Sequence, residues 1–81
     1  MGNNIRYQFR EVHHITQAVL ADEVTKRCRE DGSGYSVNVP FLSTLLDKAV
    51  RGSALNIGKE QTVYNHLLDI LEELENGKTW S

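Results

Sequence analysis

Along the first third of the chain the spacing of apolar residues changes once. Over Ile5-Arg6-Tyr7-Gln8-Phe9 apolar and polar side chains alternate. A period of two predicts a short extended segment over 5–9, a strand or an N-terminal arm. From about residue 10 the period lengthens. Val12, Ile15 and Val19 stand at i, i+3 and i+7, and Leu20, Val24 and Cys28 follow in steps of four. That spacing predicts an amphipathic helix over about 10–30. Lys26, Arg27 and Arg29 complement the negative end of its dipole, and Asp31-Gly32-Ser33-Gly34 stops it.

Alternation returns in Tyr35, Val37 and Val39, predicting a second extended segment over 35–39 that could pair with the first. Asn38 is then a candidate N-cap and Pro40 a first-turn residue for a helix over 40–51. Phe41, Leu42, Leu45, Leu46, Ala49 and Val50 form its wide apolar face. The break between Gly52 and Gly58 predicts Leu55 and Ile57 packed inward and Asn56 capping the last helix. That helix spans 59–75. Val63, Leu67, Ile70, Leu71 and Leu74 are its core stripe, widened by Tyr64 and Leu68, and Asn76-Gly77 ends it. Repeats and linkers are absent, so the pattern describes one small, mainly α domain of three helices, with two short extended segments and a tail from residue 77.

Composition narrows the class. With 81 residues the core is modest, and pairing with a second copy or a partner is a common source of added stability. No apolar run reaches the ~20 residues a bilayer demands, so no membrane insertion is expected. The single cysteine, Cys28, cannot close an internal disulfide and suits a reducing, cytoplasmic setting. The net charge of −2 is unevenly placed. Residues 1–51 nearly balance, whereas the last stretch sets Lys59 and Lys78 against Glu60, Asp69, Glu72, Glu73 and Glu75.

Thr62-Val63-Tyr64-Asn65-His66-Leu67, continuing through Ile70, Leu71 and Leu74, resembles the recognition helix of helix-turn-helix regulators of the LuxR/GerE type, which reads T-V-x-N-H-L-x-x-I-L. The resemblance covers residues 62–74. It implies a DNA-binding transcriptional regulator whose last helix lies in the major groove, with Lys59, Gln61, Thr62, Asn65 and His66 as contact residues. The chain departs from the family in four respects. Ile57 stands one residue farther from the Thr-Val pair than the family's turn residue. About seven residues separate the last two helices, where the family has three or four. Asp69, Glu72, Glu73 and Glu75 would repel phosphates. No hairpin pattern for a wing follows Gly77.

The acidic cluster also stands against the dipole of its own helix. It could pair with Lys26, Arg27 and Arg29, present an acidic surface to a basic partner, or serve as a solvated face. Trp80 is a candidate anchor, since tryptophan is enriched at interface hot spots, or a cover for the core. His13, His14, His66 and Cys28 lack the spacing of a metal site. No phosphate loop or nucleophile elbow occurs, and no enzyme activity or cofactor is expected.

The sequence therefore reads as a non-enzymatic accessory regulator acting by helix-mediated binding to another protein or to itself as a dimer. Small chains of this style are common among bacterial and phage regulators and inhibitors. Tyr64, Leu68 and Trp80 would be the apolar anchors, and Asp69, Glu72, Glu73 and Glu75 the charge complement. The DNA-binding regulator is the alternative.

Overall fold

The computed structural model describes residues 4–77, and among them it is helical with no strand. Residues 5–9, expected to be extended, are helical: α1 (Ile5–Tyr7) runs into a π-helical segment (Gln8–Val12). The Asn4 side chain starts this helix, accepting the Tyr7 amide at 2.7 Å. The alternation was ambiguous because Ile5 and Phe9, two steps of a strand apart, are also i and i+4 of a helix. Both are buried, while Tyr7 between them is exposed. Packing of this segment against the helix over residues 39–51 decided between the two periods.

The helix expected from residue 10 begins instead at residue 17. His14 takes a left-handed conformation (φ 57°), and the Ile15 amide turns back to the Phe9 carbonyl at 2.8 Å. The Thr16 hydroxyl then caps α2 (Gln17–Glu30), accepting the Val19 amide at 3.3 Å. Because two helices replace one, Val12 and Val19 share no face with the core and are 47% and 49% exposed. Leu20, Val24 and Cys28 keep the buried positions their spacing predicts.

Residues 35–39 do not form a strand. The Val37 amide donates to Thr25 Oγ1 at 2.9 Å, and the Thr25 hydroxyl donates to the Val37 carbonyl at 3.2 Å. One side chain satisfies both backbone groups that a neighbouring strand would have used. The start of α3 (Val39–Arg51) agrees with expectation: Asn38 accepts the Phe41 amide at 2.9 Å, Pro40 lies in the first turn, and left-handed Gly52 closes the helix.

The last helix, α4 (Lys59–Glu75), has the expected bounds but a different start. Asn56 does not cap it with its side chain. Glu60 instead reaches back, accepting the Asn56 amide at 2.9 Å on one oxygen and Lys48 Nζ at 2.8 Å on the other. Leu55 packs against the core, but Ile57 is 98% exposed.

Helix α2 packs against both α3 and α4. The core joins Phe9, Leu20, Val24 and Cys28 to Leu42, Leu45 and Leu46 of α3 and Val63, Leu67 and Ile70 of α4. Burying each large side chain contributes about 1.5–3 kcal/mol. This apolar contact holds the elements together.

Candidate functional site

Two surfaces carry the chemistry of the molecule, and the first is the outer face of α4. With Val63, Leu67 and Ile70 buried, helical spacing places Gln61, Asn65, Leu68, Glu72 and Glu75 in one outward stripe, with Asp69 beside it. Leu68 is 43% exposed in the middle of that stripe. Among the described residues Asp69, Glu72 and Glu75 form no ion pair, and all three are exposed. Tyr64 is half-buried at the edge of the core. Trp80, the remaining expected anchor, lies outside the described residues.

Glu73 behaves differently from its acidic neighbours. It accepts two hydrogen bonds from the Arg27 guanidinium, at 3.0 and 2.7 Å, while Glu23 takes the Arg27 Nε at 2.8 Å. These bonds to Glu73, more than any other influence, raise the Arg27 pKa and hold the guanidinium firmly protonated despite partial burial. Nearer the other end of α4, His66 Nε2 meets the Asp31 carboxylate at the C-cap of α2. The two contacts run in opposite senses along the chain, so α4 is clamped antiparallel to α2. Asp31 is itself held at a pKa of about 2, first by the hydroxyl and amide of Ser33 and then by His66.

The residues expected to read DNA are mostly engaged within the protein. The Lys59 ammonium sits 4.4 Å from the centre of the Phe41 ring. His66 binds Asp31, and Thr62 is half-buried. Gln61 donates to Asn65 at 3.2 Å, and these two face outward on the same stripe as Glu72 and Glu75. Seven residues, 52–58, separate α3 from α4. Cys28 is fully buried in the core, and among the described residues no three His, Cys, Asp or Glu side chains gather as metal ligands. No helix of the described residues is long and apolar enough to cross a membrane.

The second surface was not anticipated from the sequence. A half-open cleft of about 570 Å³ lies between the π-helical segment and the N-terminus of α2. Phe9, Ile15, Leu20 and Leu46 supply its apolar lining. Arg6, Arg10 and His14 supply the cationic and basic groups, beside Thr16 and Gln17 at the start of α2. Arg6 donates to Ser43 Oγ at 3.1 Å and stands 3.7 Å from Asp47, yet its Nε is enclosed without an acceptor. The nearest sequence signal was Arg6 and Arg10 at i and i+4, which is visible only if this segment is read as helix. No family model, curated protein or solved structure matches the chain, and its functional reading rests on these two surfaces.

Proposed function

We propose that this chain is a non-enzymatic accessory regulator that acts by docking the outer face of α4 against another protein, with a second copy of itself as one such partner. The observation that supports this most directly is Leu68, exposed in the middle of a stripe whose carboxylates, Asp69, Glu72 and Glu75, have no cation of their own among the described residues. Apolar burial around Leu68 and Tyr64 provides the affinity, and the acidic residues provide orientation and partner choice. The complementary partner is a shallow apolar groove rimmed by Lys and Arg. DNA reading by α4 is the second reading. It is less well supported, because Lys59 and His66 are occupied by Phe41 and Asp31 and the outward face is acidic.

The test is capture from native lysate with the tagged protein, with and without nuclease, beside a variant carrying Leu68→Ser, Glu72→Gln and Glu75→Gln. These positions are exposed, so the variant should fold. A protein partner that survives nuclease and is lost with the variant is the expected result. Recovery of nucleic acid, with every associated protein released by nuclease, would overturn the docking reading in favour of the DNA-binding one.

A further inference from the structure

We propose that the cleft between the π-helical segment and α2 is a binding site for a small organic monoanion with an apolar body, such as a medium-chain carboxylate. A volume of about 570 Å³ falls within the range of small-molecule sites and is far larger than a packing defect. The apolar lining from Phe9, Ile15, Leu20 and Leu46 suits a hydrocarbon chain or ring.

The polar lining selects the sign of the head group. In a chain of net charge −2, this cleft is lined by Arg6, Arg10 and His14 and by no carboxylate. The two nearby acids are weakly committed. Glu11 meets Arg10 at 3.1 Å, but the Arg10 side chain is 71% exposed, so that pair is readily exchanged for a better-placed anion. Asp47 stands 3.7 Å from Arg6 and is shared with Arg51 at 3.2 Å. Thr16 and Gln17 bring the positive end of the α2 dipole to the same wall.

Backbone geometry points to the same place. The π-helical segment and the left-handed His14 adjoin this cleft. Both conformations are less favourable than regular helix, and both recur where a chain shapes a site. The site does not depend on the α4 face and stands or falls separately.

The test is titration of the uniformly ¹⁵N-labelled protein, followed by amide shifts, with octanoate, hexanoate and octanol. Octanoate should shift the amides of residues 14–20 saturably and bind about tenfold tighter than octanol, since a charge-assisted hydrogen bond is lost with the neutral head. Hexanoate should bind about tenfold more weakly than octanoate, through the loss of two buried methylenes. Arg10→Gln should weaken octanoate about fivefold while leaving amides remote from the cleft in place. Equal binding of octanol, saturable shifts confined to another part of the molecule, or no shift at millimolar octanoate would each overturn the proposal.

Discussion

Arg27 shows how a single residue can divide a charge cluster into structural and available parts. From the sequence, Glu72, Glu73 and Glu75 are equivalent acids at the end of a helix, and Lys26, Arg27 and Arg29 equivalent bases. Among the described residues Arg27 is the one of these bases that bonds to α4, and Glu73 receives it with both oxygens. The Arg27 side chain is 19% exposed, so this pair is partly shielded and bidentate, unlike the exposed ion pairs that contribute almost nothing. Glu73→Gln should therefore destabilise the protein by about 1–3 kcal/mol, since it leaves a half-buried guanidinium incompletely paired. Glu72→Gln, one residue away and exposed, should change stability by less than about 0.5 kcal/mol. Urea midpoints of the two variants would check this, and equal values would mean that the Arg27–Glu73 pair contributes nothing distinctive.

At the scale of elements, the reliable boundaries were those with chemistry of their own. Asn38, Pro40 and Gly52 delimit α3 because a side-chain acceptor, a missing N–H and a left-handed glycine each act locally. Failures came where a local cap interrupts a longer apolar period, as Thr16 does at the start of α2, or where a distant residue supplies the partner. Val37 looks like strand by its alternation, but Thr25, twelve residues earlier on α2, takes both of its backbone groups. Replacing that hydroxyl tests the explanation. Thr25→Val should cost about 1–3 kcal/mol in urea unfolding, because it leaves the Val37 amide and carbonyl unpaired. It should also speed exchange of the Val37 amide, while Thr25→Ser should retain most of both. Unchanged exchange in Thr25→Val would show that some other group protects Val37.

For the whole molecule, acid is the informative variable. Asp31 has an ordinary carboxyl pKa of 3.8 and a folded value of about 2, and Glu60 is lowered too, chiefly by the Asn56 amide and then by Lys48. A carboxyl with a depressed folded pKa stabilises the fold above its unfolded pKa, and that contribution is lost as pH falls through the folded value. Stability should thus be level above about pH 5 from these groups and should decline between about pH 4 and pH 2. Urea midpoints followed across that range should show a shallower decline for Asp31→Asn than for the native chain. An identical slope would mean that the contacts of Asp31 with Ser33 and His66 do not persist in solution.

The sequence by itself determined the mainly helical class, the bounds of α3 and α4, and the buried stripes Leu20-Val24-Cys28, Leu42-Leu45-Leu46 and Val63-Leu67-Ile70. These follow from period and capping, which act over a few residues. Only tertiary structure decided that residues 5–9 coil instead of extending, that the chain breaks at 13–16, and that Ile57 faces solvent while Leu55 turns inward. It also decided that Arg27 takes Glu73 and leaves Asp69, Glu72 and Glu75 unpaired among the described residues. The cleft depends on that same break, since Arg6 and Leu46 meet the start of α2 only when residues 5–12 and α2 are separate helices. Local periodicity can specify which faces of an element are apolar. It cannot specify which groups meet when the elements pack, and those meetings, Arg27 with Glu73 at α4 and the Ile15 amide with the Phe9 carbonyl at the cleft, set both surfaces.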